Sequence, residues 1–138
     1  MQEFLRNRST RAPALACLLL LATGCGGGQR SEKDYLPAEQ KARAALETAL
    51  GAWQNGQPIG QIAGADGAVQ VVDSEWKAGK KLAGYQVLKA EPENGPPRFA
   101  VKIQVQGARE REVRYVVMGI DPLWVYREDD YQTSMGMN

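Results

Sequence analysis

The chain has 138 residues and a formal net charge of +1 at neutral pH, with two cysteines and no histidine. This length fits one ordinary domain. Binding to nucleic-acid phosphates needs clustered lysine and arginine, so the balanced charge argues against a nucleic-acid partner. The lack of histidine excludes the commonest general base, the commonest zinc ligand and every histidine-dependent triad. We therefore expect no metal site and no cofactor.

Residues 1–24 have the pattern of a signal peptide. Arg6, Arg8 and Arg11 precede a mostly apolar run at 12–22, which is the charge order of a secretory signal. The run is about half the roughly 20 residues that a helix needs to cross a bilayer. We therefore expect a temporary export signal and not a permanent membrane span.

The end of this run, Leu21-Ala22-Thr23-Gly24-Cys25, resembles the lipobox of bacterial lipoproteins. In that family the cysteine thiol receives a diacylglyceryl group, and a peptidase then cuts the chain just before the cysteine. The resemblance implies cleavage between Gly24 and Cys25 and lipidation of Cys25. Ala22 departs from the leucine that is commoner at its position. The alternative is an ordinary cleaved signal in which Cys25 has no role.

Lipidation would determine where the mature protein resides. Two or more acyl chains hold a protein firmly on a bilayer, whereas one chain binds marginally. The glycine-rich residues 25–34 are predicted to be a lipidated flexible tether. Loss of residues 1–24 leaves 14 of 17 basic and 15 of 16 acidic side chains, and no pair of cysteines for a disulfide. The expected location is a bacterial membrane after export, in the periplasm or at the outer surface.

Residues 35–130 are predicted to form a single α+β domain. Apolar side chains recur at spacings of three and four from Ala42 to Trp53, which predicts an amphipathic helix after Pro37. Asn55-Gly56 should end this helix, and a further short helical turn is expected at 58–63.

From Ala68 the pattern alternates, which predicts strands near 69–73, 82–91, 98–106, 113–118 and 123–126. Val116 and Met118 make the end of the fourth strand apolar on both faces, so this end should be covered on both sides. Residues 131–138 are predicted to be a disordered tail. The helix must bury its apolar stripe on the sheet. We therefore expect one N-terminal amphipathic helix packed on a four- to five-stranded antiparallel sheet. Cystatin-like and NTF2-like folds share this order of elements.

One segment follows the pattern V-D-x-x-W-x-x-G-x-x-L-x-x-Y, from Val72 to Tyr85. It resembles a segment of small uncharacterised bacterial lipoproteins and secreted proteins. Residues 113–117, Pro122 and residues 125–129 resemble the end of the same group. The resemblance spans roughly residues 42–129. It implies an architecture and no chemistry.

Several side chains are candidates for a functional site. Asp73 and Glu75 form a possible acid–base pair, although a carboxylate at a strand end more often caps a turn through its own backbone. Lys77, Lys80 and Lys81 form either a weak patch for lipid headgroups or a solvated loop. Six aromatic residues would line a pocket between helix and sheet or simply pack the core: Trp53, Trp76, Tyr85, Tyr115, Trp124 and Tyr126.

Two functions remain open from the sequence. The first is a membrane-anchored, non-enzymatic module that binds an envelope protein partner or holds a place in the envelope; the lipobox and the missing histidine favour it. The alternative is an NTF2-like small-ligand-binding domain, or an unrecognised enzyme, that uses a cone-shaped cavity. The aromatic-rich α+β pattern motivates this alternative.

Overall fold

A computed structural model describes residues 36–91 and 94–137. The predicted signal peptide, Cys25 and the tether lie outside these residues. The elements in chain order are α1 (Glu39–Gln54), β1 (Gln61–Gly64), β2 (Gly67–Val72), α2 (Ser74–Lys77), β3 (Leu82–Glu91), β4 (Arg98–Val105), β5 (Arg111–Met118), β6 (Leu123–Arg127) and α3 (Glu128–Ser134). Within the described residues, no helix is both long enough and apolar enough to span a membrane.

The strands form one six-stranded mixed sheet in the order β1-β2-β6-β5-β4-β3. The α+β class is therefore confirmed, but the prediction of four or five antiparallel strands is wrong. β2 and β6 pair in parallel, from Val69 opposite Leu123 to Val72 opposite Tyr126. Alternating hydrophobicity tells which face a residue occupies, whereas strand direction depends on a pairing between segments about 50 residues apart.

Helix α1 has the predicted apolar stripe and the predicted end. The stripe is buried against the sheet and comprises Ala42, Ala45, Leu46, Ala49, Leu50, Ala52 and Trp53. Asn55 caps the C-terminus, and Gly56 follows with φ of 77°, a conformation that glycine adopts without strain.

The segment predicted to contain a helical turn at 58–63 instead enters strand β1, so that prediction is wrong. β1 and β2 form a hairpin in which Gly64 faces Gly67 across a two-residue turn. A Cβ atom on Gly64 would lie 2.7 Å from the carbonyl oxygen of Gly67. Glycine therefore permits this close backbone approach, which favours the hairpin over a helix.

One face of the sheet is covered by α1, and the other face is covered at β5 and β6 by α3. The inner residues Phe99, Val101, Ile103 and Val105 of β4 pack beneath α1. On the outer face Val116 is fully buried, as predicted, where α3 contacts β5 and β6. Residues 131–134, expected to belong to a disordered tail, are helical, because Tyr131 packs edge-on against Tyr126 and is only 9% exposed.

Helix α1 lies antiparallel along β3, which gives the domain two distinct ends. The Arg43 guanidinium donates to the carbonyl of Leu88 near the end of β3, whereas the Gln54 amide donates to the carbonyl of Ala83 near its start. The chain thus enters α1 at one end of the domain, and α2 lies at the opposite end beside Trp53.

Candidate functional site

Asp73 is the centre of the most densely bonded polar cluster at the α2 end. It directly follows β2 and is only 1% exposed. Its Oδ1 accepts hydrogen bonds from the backbone N–H groups of Glu75 (2.9 Å) and Trp76 (3.2 Å), so it caps the N-terminus of α2. The interpretation of Asp73 as a carboxylate that caps a turn through its own backbone is therefore confirmed.

The same carboxylate binds two further buried side chains. The Tyr115 hydroxyl donates to Oδ2 at 2.6 Å, and the Arg127 guanidinium donates from Nε to Oδ1 at 3.1 Å and from Nη2 to Oδ2 at 3.2 Å. Arg127 is 5% exposed, and its guanidinium carbon lies 5.5 Å from the centroid of the Tyr115 ring. A buried charge is tolerated when it is paired and hydrogen-bonded in this way.

Glu75, the second carboxylate of the candidate pair, is also bound by cations. Its Oε1 accepts from Arg127 Nη1 at 3.2 Å and from Arg111, and its Oε2 lies 4.0 Å from the Lys80 ammonium. The structure therefore places Asp73 and Glu75 close together but engages both with arginine. We call Asp73, Glu75, Arg111, Tyr115 and Arg127 the ion-pair network.

Burial and neighbouring charges together set the protonation states of Tyr115 and Arg127. Burial raises the pKa of Tyr115 well above its usual value, and the negative charge of Asp73 raises it further. Tyr115 therefore stays a protonated hydrogen-bond donor at neutral pH. Burial alone would lower the pKa of Arg127, but Tyr115, Asp73 and Glu75 outweigh it and raise that pKa overall. Arg127 is thus held as a cation.

Trp53 and Trp76 are brought together beside the network. Their rings stack with centroids 5.7 Å apart and an interplanar angle of 11°. The Trp53 indole donates to the carbonyl of Lys80 at 2.7 Å, and the Trp76 indole donates to that of Gln57 at 2.9 Å. Both indole N–H groups are therefore satisfied within the domain.

An open groove of about 300 Å³ lies over this pair. We call it the tryptophan groove. Its apolar walls include Pro58 and Ile59 as well as the two indoles. The candidate lysines line it as well: Lys77, Lys80 and Lys81.

The other candidate aromatic residues lie elsewhere. Tyr85 is half-buried against the core, and its hydroxyl donates to the carbonyl of Glu47 at 3.4 Å. Trp124 and Tyr126 stack on the outer face of the sheet, with ring centroids 5.8 Å apart. Tyr115 belongs to the ion-pair network. The six aromatic residues therefore do not line one common pocket.

The interior between α1 and the sheet is packed with side chains. Trp53 and Phe99 belong to the core and are almost fully buried. A recess between α1 and the β1–β2 turn, lined in part by Lys41 and Gly67, has a volume of about 30 Å³. That volume is far below the roughly 300–1,000 Å³ of a small-molecule pocket. Core packing thus accounts for these aromatic residues without a ligand.

Sequence reasoning missed Arg127, although a signal was present. Leu123, Val125 and Arg127 alternate on one face of β6, and all three are buried. The buried face of β2 likewise carries alternating residues, namely Val69, Val71 and, just beyond the strand, Asp73. A charged residue on a buried face needs a partner of opposite charge. The alternation in β2 and that in β6 therefore together predict that Asp73 pairs with Arg127.

The described residues contain no group of three or more Asp, Glu, Cys or His side chains that could hold a metal ion. No family model, no curated protein and no solved structure matches this chain. What the domain does must therefore be inferred from its own residues.

Proposed function

We propose that the chain is a lipoprotein that is exported, cut before Cys25 and held on a bacterial membrane by lipid on that thiol. Support comes from the basic segment, the short apolar run and the lipobox-like residues 21–25. Acylation with two or more chains would make the attachment stable. The described domain would then be displayed in the periplasm or at the outer surface of the cell.

We further propose that the domain is a non-enzymatic binding module. The observation that carries this proposal is the state of the candidate acid–base pair: Asp73 and Glu75 are both bound by arginine. A general base must be free to reach a substrate proton, whereas Asp73 has its two oxygens engaged and is sealed from solvent. The network supports a structural role, which leaves the surface of the domain for binding.

Intact-mass measurement of protein extracted from membranes tests the anchor. We expect the mass of residues 25–138 plus covalent lipid, and we expect Cys25→Ala to be released or to stay unprocessed. Cys17→Ala is the matched control, because Cys17 lies in the segment that would be removed. A bare thiol at Cys25, or unchanged membrane retention of Cys25→Ala, would refute the proposal.

The binding role is tested separately by cross-linking in intact cells, followed by isolation of the lipidated chain from solubilised envelopes. We expect one protein to be recovered repeatedly with the wild-type chain. Its recovery should be lost when residues 35–138 are deleted and only the lipidated segment remains. Repeated recovery of no partner would contradict a binding module.

A further inference from the structure

The tryptophan groove lies at the end of the domain farthest from the proposed anchor. The anchored segment joins the domain ahead of Leu36, at the N-terminal end of α1, whereas Trp53 lies in the last turn of that helix. Fourteen residues at about 1.5 Å rise place the two ends roughly 21 Å apart. The groove therefore lies at the end of the domain opposite the point where the tether would join it.

The rim of the groove is positively charged. Lys77, Lys80 and Lys81 are all exposed, and no acidic residue lines the groove. Lys80 lies 4.0 Å from Glu75, but neither Lys77 nor Lys81 forms an ion pair within the part of the chain that the structure describes. Two ammonium groups thus remain to meet negative charge on a ligand.

The floor of the groove offers apolar contact and few hydrogen bonds. Trp53 and Trp76 are 2% and 6% exposed, and their N–H groups already donate to backbone carbonyls. Ile59 is half-buried at the wall, and Pro58 is exposed there. The apolar surface still open to solvent is therefore at Pro58 and Ile59 and not on the indoles, and an apolar side chain would gain by covering it. The groove is open, so it suits a segment of chain lying across it.

From this juxtaposition of exposed apolar residues and a lysine rim, we propose that the tryptophan groove binds an acidic, extended segment of a partner protein. An aliphatic or aromatic side chain of the segment packs on Pro58 and Ile59 beside the two indoles, and flanking carboxylates pair with Lys77 and Lys81. The proposal rests on the binding role proposed above, and it names the surface and the chemistry of the partner. A surface that binds lipid headgroups usually clusters about four to eight basic residues, whereas this rim has three lysines, which favours a protein over the membrane.

The first test is selection from a random-peptide display library. The bait is the expected mature chain, residues 25–138 with Cys25→Ser, so that lipid plays no part. We expect selected peptides to combine Asp or Glu with one large apolar residue. A selected peptide is then synthesised with a fluorescent label, and its affinity is measured by anisotropy. Selection of basic or uncharged peptides, or of none, would overturn the proposal.

The decisive variant is Lys77→Gln with Lys81→Gln, which leaves the buried floor intact. We expect the peptide to bind about tenfold more weakly, since two exposed charge pairs together are worth about 1.4 kcal/mol. The matched control is Lys41→Gln with Lys89→Gln, because both lysines are exposed and the change in net charge is the same. Equal losses in the two pairs would show a general charge effect and refute a specific groove.

The position of the peptide is checked by NMR through the three indole N–H signals, with Trp124→Phe used for assignment. We expect the signals of Trp53 and Trp76 to shift on binding, whereas that of Trp124 on the outer face stays in place. A shift confined to Trp124 would overturn the proposal.

A third test is binding to phosphatidylglycerol vesicles. If the chain binds these vesicles and the binding requires Lys77 and Lys81, the lysine rim contacts lipid and the proposal is overturned. None of these measurements involves acylation, so their failure leaves the Cys25 mass result unaffected.

Discussion

Replacing Asp73 with asparagine should remove a large part of the stability of the domain. The new amide keeps one acceptor oxygen, which can still cap α2, but it offers an N–H group where Oδ2 now accepts from Tyr115 and Arg127. Arg127 is left as a cation that is only 5% exposed. Removing one partner of a buried ion pair costs about 3–5 kcal/mol.

Glu75 still accepts from Arg127 at 3.2 Å, so we expect the low end of that range, about 3 kcal/mol. For a domain of this size each kcal/mol corresponds to about 4–8 °C. The midpoint of thermal unfolding should therefore fall by roughly 12–24 °C. Because a typical domain is stable by only about 5–15 kcal/mol, the variant should still fold at room temperature.

The assay is urea and thermal unfolding followed by circular dichroism on the chain of residues 25–138 with Cys25→Ser. Asp66→Asn is the matched control, because Asp66 is exposed in the β1–β2 turn, where asparagine is equally suitable. We expect it to change the free energy of unfolding by less than about 0.5 kcal/mol. A loss below about 1 kcal/mol for Asp73→Asn would show that the network does not hold the charges as described.

Three further variants test other parts of the structure. Tyr115→Phe should weaken the decline in stability above about pH 10, measured by urea unfolding across pH. The pKa of Tyr115 is raised in the folded state, so the stability that its protonated hydroxyl contributes is complete below the ordinary tyrosine pKa and is lost as pH rises through the folded pKa. An unchanged alkaline decline would contradict this. Gly119→Ala should destabilise the domain by at least about 1 kcal/mol more than Gly79→Ala. The two glycines have nearly the same φ, 86° and 87°. Only at Gly119 would the added Cβ clash with the backbone, because it would lie 2.8 Å from the carbonyl oxygen of Pro122. Equal losses would exclude the clash. Tyr131→Ala should cost about 3 kcal/mol in chemical denaturation, whereas the exposed Gln132→Ala should cost little; equal, small losses would support a disordered tail.

The fold was predictable where a repeating pattern in the sequence reports burial directly. The boundaries of β3 and the alternating inner face of β4 agree with the structure, because one face of each strand packs on the core. The short helix α2 was missed because it has four residues, too few for a helical period to be visible. β1 was missed because its pairing depends on a close glycine approach and not on apolar content.

The candidate site was predictable only in part, because its charges come together from distant segments. Asp73 and Arg127 are 54 residues apart in the chain. Their contact depends on the parallel pairing of β2 with β6, which the alternation of hydrophobic residues does not specify. The meeting of Trp53 with Trp76 likewise depends on where α2 packs on the end of α1. The sequence therefore supplied the residue types but not their arrangement.

The ion-pair network and the tryptophan groove are physically coupled through α2. Asp73 accepts from the backbone of Trp76, and the Trp76 ring stacks on Trp53 to form the groove floor. Loss of Asp73 would therefore disturb the floor as well as the free energy of unfolding. Weaker peptide binding by Asp73→Asn would therefore not locate the binding site, because that change also destabilises the fold. Exposed lysines contribute little to folding, so weaker peptide binding by the Lys77 and Lys81 variant would locate the site.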